Sequence, residues 1–162
     1  LPADQIPANT EGYEGFFHLC EMNGTEEQAH LKYIIRDHDR ARFEERKAYI
    51  TRVVSYLNQK YGEETVELEM NDSYYNMKEK IEPCMYIVER AKAAMEKADV
   101  VPVIVPIRGG TDGARLSYEG LPCPNLSTGG HNFHGRFEYI PVASMDKMVQ
   151  VLKEIVKSDQ NL

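Results

Sequence analysis

Arg108, two double-glycine loops and two histidines crowd into the 31 residues that run to Glu138, RGGTDGARLSYEGLPCPNLSTGGHNFHGRFE. Glycine pairs cost backbone entropy on folding, so two of them around an apolar segment point to a main chain that turns tightly or lies close to a ligand. Thr111, directly after Gly109-Gly110, can open a helix, where a hydroxyl beside free N–H groups suits a carboxylate or an oxyanion. A plain turn followed by a helix cap explains the same residues. His134 stands in GGHNFHG, where its imidazole can leave a loop and bind zinc, with a partner such as Glu138 orienting the second ring nitrogen. A solvated or packed histidine is the plainer alternative, because a zinc site needs three or four ligands. His131, in the same loop, reads as incidental.

Arg36 closes the apolar run LKYIIR. Its guanidinium can grip a ligand carboxylate with two parallel bonds, or it can bridge to a neighbouring acidic side chain. Asp37-His38-Asp39 has the residue types of a metal cluster, but adjacent strand residues face opposite ways and Asp39 is already useful as a helix cap. The glutamate pairs at 26/27, 44/45 and 63/64 read as solvated charge.

The elements that must position these groups follow from periodicity. Tyr13 to Met22 and Leu31 to Arg36 read as neighbouring strands, and Asp39 caps a helix whose Phe43, Ile50, Val53, Val54, Leu57 and Tyr61 share a face until Gly62 ends it. Thr65 to Met70 alternates as a half-exposed strand, which gives the order ββαβ, a ferredoxin-like unit lacking its first strand and helix. The polar NDSYYNMKEK at 71–80 reads as a linker. Beyond it, Pro83 suits a first helical turn, Val100 to Ile107 reads as a short buried strand, Thr111 to Glu119 as a helix stopped by Gly120, and Leu121 to Leu126 as another strand. Ser144 can cap a last helix. Strand and helix alternate, so this second part is expected to be an α/β layer, with both glycine loops at the carboxyl edge where open sheets bind ligands.

Length and charge limit the reading. The 162 residues suit about one domain. The 19 basic against 26 acidic side chains, a net charge of −7, argue against a phosphate-backbone footprint and hence against nucleic acid. Cys20, Cys84 and Cys123 are far apart and form no CxxC pair, which fits a reducing compartment. No apolar run approaches membrane-spanning length and the amino-terminal stretch lacks the pattern of a signal peptide, so the expectation is a soluble, cytoplasmic protein without membrane partners.

Taken together, YIIRD at 33–37, NDSYYNM at 71–77, IRGGTDGARLS at 107–117, GLPCPNLSTGG at 120–130 and FHGRFE at 133–138 resemble the peptidase T family. These are tripeptide aminopeptidases of the two-zinc aminoacylase and carboxypeptidase group. The resemblance implies an α/β catalytic domain with a ferredoxin-like lid inserted into it. Residues 1–74 then correspond to part of the lid, through which a homodimer could form, and residues 75–162 to the C-terminal part of the catalytic domain. It implies His134 as a zinc ligand, Arg36 as the lid arginine that clamps the peptide carboxylate, and Gly110 and Thr111 as contacts beside the scissile bond. Arg108 and Asn132 are further substrate-binding candidates.

Such a protein is expected to hold two zinc ions and to cleave short peptides, tripeptides first among them. His131 stands where relatives commonly carry tyrosine, and the family's His-x-Asp ligand pair and catalytic Glu-Glu pair are not found in these residues. The chain alone is therefore expected to lack peptidase activity, with no catalytic residue of its own. Two alternatives remain at this level: a non-catalytic binding or dimerisation module of the same fold, or a related dipeptidase or aminoacylase. An anion-binding α/β domain would need GxxxxGK[ST] or GxGxxG, and neither occurs.

Overall fold

The structure, a computed structural model, describes residues 1–159. The chain divides into two compact units, one made of Leu1–Asn76 with Val105–Gly109, the other of Met77–Ile104 and the chain from Gly110 onward.

In the first unit, β1 (Phe16–Gly24) pairs antiparallel with β2 (Ala29–Arg36), and the register sets Phe16 opposite Arg36. Helix α1 (Arg40–Tyr61) starts where expected, with Asp39 Oδ1 accepting the Arg42 N–H at 2.9 Å, and ends at Gly62, whose φ of 114° few other residues tolerate. Phe16, Phe17 and Ile50 are buried, and the Phe17 ring lies against Tyr49 and beneath the Arg46 guanidinium. Arg46 also reaches Asp37 at 2.8 Å and Gln5 at 2.6 Å. The Asp37 side chain is 1% exposed, so removing either partner of this ion pair strands a buried charge. Gly15 makes the corner possible, since a Cβ there would sit 2.1 Å from Asp37 Oδ2. Asp37 and Asp39 are thus committed to folding the β2–α1 corner that carries Arg36.

The segment expected to be a linker is instead fastened to α1. Asp72 pairs with Lys47 at 2.8 Å and accepts from the Tyr75 hydroxyl at 2.9 Å, Tyr75 lies edge-on to Phe43 with Arg40 over its ring, and Asn76 donates to the His38 carbonyl. Long-range aromatic contacts of this kind leave no period in the sequence.

His38 gives the first unit a testable pH dependence. Burial pushes its imidazole below the ordinary value and the charge of Arg108 adds to this, against the opposing effects of Asp37 and the Gly12 backbone. The unfolded chain therefore holds the proton more tightly than the folded one. Stability is full above the unfolded imidazole's pKa of about 6.5 and declines as pH falls through it toward the lowered folded value. Asp72, lowered chiefly by its bond from Lys47, loses its contribution in a separate window below about pH 3.9. Urea titrations are expected to show stability dropping as pH falls below about 6.5, with His38→Gln flattening that slope. An unchanged slope in the variant would remove His38 as the cause.

In the second unit, α2 (Lys78–Ile81) and a 3-10 turn holding Pro83 lead into α3 (Tyr86–Lys97), and α4 (Asp112–Tyr118) is followed much later by α5 (Val142–Asp159). Ala94, Ala98 and Val151 form its core, with Met95, Val100, Met148 and Ile155 packed around them. Lys147 Nζ donates to the Ala98 carbonyl at 2.8 Å, which ties α5 to the end of α3. The last helix begins before the expected cap. The Pro141 carbonyl accepts from both Ser144 and Met145 N–H groups, and Ser144 lies inside the helix.

Three expected strands, at 65–70, 100–107 and 121–126, join no ladder among the described residues. At Val66 the reason is visible: the Asn58 side chain accepts its N–H at 2.7 Å and donates to its carbonyl at 2.9 Å, in place of a neighbouring strand. In the run 100–107, Val101, Val103, Ile104, Val105 and Ile107 are exposed rather than buried. An apolar run specifies a sheet interior only where other strands flank it. No described helix is long and apolar enough to cross a membrane.

Candidate functional site

Arg36 and Arg108 belong to the first unit, and Gly110, Thr111, Asn132 and His134 to the second. Arg36 is half-buried at the end of β2, with its guanidinium 5.2 Å from the centroid of the Tyr74 ring. Such a cation–π contact is electrostatic and leaves the guanidinium N–H fork able to meet a carboxylate. Tyr74 escaped sequence reasoning, hidden in the tyrosine pair of NDSYYNM.

Arg108 is engaged by its own unit. Its guanidinium donates to the Thr10 carbonyl, to Thr10 Oγ1 at 2.6 Å and to the Glu14 carbonyl at 3.4 Å, and lies over Phe16. Its Nε is buried without a partner. These bonds fasten the start of the glycine loop to residues 10–16.

Thr111 caps α4 as expected, accepting from the Ala114 N–H at 3.3 Å. It also accepts from Asn125 Nδ2 at 3.1 Å. A hydroxyl has two lone pairs and one hydrogen, so these two bonds leave Thr111 its hydrogen to give away. A ligand meeting it there must present an acceptor, such as a carbonyl or carboxylate oxygen. Asn125 was not singled out from the sequence, although its place in GLPCPN, between two glycine loops, is a usable signal.

The two glycine pairs differ. A Cβ on Gly109 would meet open space, whereas Gly129 has φ 75° and would press a Cβ to 2.7 Å from Ser144, and Gly130 would meet the Phe133 ring at 2.9 Å. Packing and its positive φ demand glycine at Gly129 but not at Gly109. The second pair delivers the chain into a hairpin closed by the mutual backbone bonds of His131 and Tyr139, at 2.8 and 3.2 Å, whose rings stack 5.0 Å apart. His131 is therefore a structural member of this loop.

Inside the hairpin, Asn132 and His134 both adopt left-handed backbone, with φ 56° and 62°. Each such non-glycine residue costs about 1 kcal/mol, so the turn has to be held. Asn132 Nδ2 donates to the Phe137 carbonyl at 3.1 Å, and Glu138 Oε2 accepts the main-chain N–H of His134 at 3.1 Å. The expected bond from Glu138 to the second imidazole nitrogen is not the one formed. His134 is exposed.

The donor chemistry at His134 suits zinc, but a single imidazole does not hold it. Among the described residues no three His, Cys, Asp or Glu side chains gather closely enough to bind a metal. The described residues therefore do not fit a complete zinc centre.

Searches against family models find no match. Curated proteins match strongly. Peptidase T of Clostridium novyi (strain NT) is 60% identical over 157 residues, 97% of this chain and 39% of that protein, and peptidase T of Halothermothrix orenii is 59% identical over the same length. Over nearly its whole length this chain is homologous to peptidase T. It spans about two-fifths of the length of these relatives. A solved tripeptidase from Staphylococcus aureus subsp. aureus Mu50 shares the fold of this peptidase T homologue, with a TM-score of 0.63 and 18% identity over 94% of this chain and 41% of the other. That likeness concerns the fold alone, of which this chain holds a two-stranded sheet and five α-helices among its described residues.

Proposed function

We propose that this chain supplies the substrate-carboxylate clamp and one metal-binding imidazole of a cytoplasmic zinc aminopeptidase that removes the N-terminal residue from tripeptides. The observation that carries this reading is the match to peptidase T along 97% of the chain. The local chemistry agrees with it. Arg36 offers a guanidinium fork to a peptide carboxylate, Thr111 offers one hydrogen to an acceptor oxygen, and His134 offers an exposed imidazole. Gly110, next to Thr111, is exposed and lets a peptide main chain approach. Arg108 supports the reading by anchoring the glycine loop, and Asn132 by shaping the turn that carries His134. The partners proposed are short peptides, with homodimerisation through the first unit. No catalytic base is assigned within these residues.

The test is a chimera in which the 157 matched residues replace their counterpart in the Clostridium novyi relative. It is expected to cleave tripeptides and to lose that activity when chelator removes the metal, whereas the 162-residue chain alone is expected to cleave none. A folded chimera that leaves tripeptides intact, under conditions where the unmodified relative cleaves them, would favour a binding module instead.

A further inference from the structure

We infer that Glu138 is a positioning residue for His134, and that it acts through the main chain rather than through the imidazole. This rests on the reading of His134 as a working ligand. Two left-handed non-glycine residues, Asn132 and His134, lie within one exposed hairpin, and φ at His134 sets the direction in which its Cβ and ring leave the chain. The bonds that close the hairpin leave His134 itself untouched. His131 and Tyr139 bond to each other, Gly135 N–H donates to the Asn132 carbonyl at 2.9 Å, and Asn132 Nδ2 donates to the Phe137 carbonyl. The contact made to His134 is the Glu138 carboxylate, which accepts its N–H at 3.1 Å. Glu138 in turn is held by its own N–H, which donates to the Gly135 carbonyl at 3.2 Å. Carboxylate and turn thus hold the backbone at His134, which sets the direction of its Cα–Cβ bond, while no bond joins Glu138 to the imidazole. Losing the acceptor releases φ at His134, and its Cα–Cβ bond no longer leaves the chain in one direction.

The test combines two measurements. In the 162-residue chain, amide hydrogen exchange followed by NMR should show the His134 N–H exchanging about 10-fold faster in Glu138→Ala, while Glu138→Gln, which keeps an acceptor oxygen, stays near the native rate. In the chimera, zinc retention against a competing chelator should fall about 10- to 100-fold for Glu138→Ala and only a few-fold for Glu138→Gln, with kcat reduced more than KM is raised. Native exchange and native zinc retention in Glu138→Ala would overturn the inference, as would a glutamine variant as damaged as the alanine one. A native chimera that retains no zinc would count against His134 as a ligand, while the exchange measurement still decides whether Glu138 holds the turn.

Discussion

Replacing His134 by alanine in the chimera is expected to lower tripeptide hydrolysis by on the order of 100-fold or more while leaving the circular dichroism spectrum and the melting temperature of the metal-free protein unchanged. Groups that merely support a metal ligand typically cost 10- to 100-fold when removed, and the ligand itself should cost at least as much. The fold should not notice the loss. The His134 side chain is exposed and its contact to the rest of the loop runs through the backbone N–H, which alanine retains. Activity and stability therefore separate at this position, which they would not do if the histidine were part of a core. An alanine variant with native turnover would mean that the imidazole has no part in the reaction, and a variant whose metal-free form melts early would mean that the ring is a packing element.

Val151→Asp should produce the largest loss of stability in the second unit. Val151 is 0% exposed and sits between Ala94 and Ala98 of the α3 region, with Met148 and Ile155 of its own helix beside it. The side chains packed around it are apolar, and the Lys147 ammonium one turn earlier is already given to the Ala98 carbonyl. Burying an unpaired charge, or protonating it to avoid doing so, costs several kcal/mol, and about 4 kcal/mol is expected. A small domain is stable by only about 5–15 kcal/mol, so the α3–α5 pairing should be lost at modest denaturant. Val151→Ala, which removes two methyl groups without adding charge, should cost about 2 kcal/mol and keep a cooperative transition. Urea unfolding of the 162-residue chain followed by circular dichroism separates the two. Equal, small effects would show that α3 and α5 do not depend on this contact.

The parts of the fold legible in the sequence were those decided locally. Asp39 and Gly62 mark the two ends of α1, and Thr111 marks the start of α4, because a cap is a contract between residues three or four positions apart. Strands were legible only where the partner lies next in the chain, as β1 and β2 do. Thr65 to Met70 alternates like a strand, yet Asn58 satisfies the backbone of Val66 and no ladder forms, since alternation specifies a face and not a neighbour.

The site divides in the same way. His134 was visible from its glycine-flanked loop, and Arg36 from its position at the end of an apolar run. The partners that fix them were not. Tyr74 lies beneath Arg36 from a segment that looked like a linker, and Asn125 reaches Thr111 across 14 residues. Glu138 was singled out by its distance along the chain from His134, but spacing cannot tell a bond to the ring from a bond to the amide.

The account turns on whether the His134 imidazole touches the metal. Loading the chimera with cadmium-113 in place of zinc, with histidine nitrogens labelled by nitrogen-15, reads this directly: a metal–nitrogen coupling at a His134 ring nitrogen that vanishes in His134→Ala is the result predicted. Couplings confined to other histidines, with His134 ring signals identical in the loaded and metal-free protein, would contradict it.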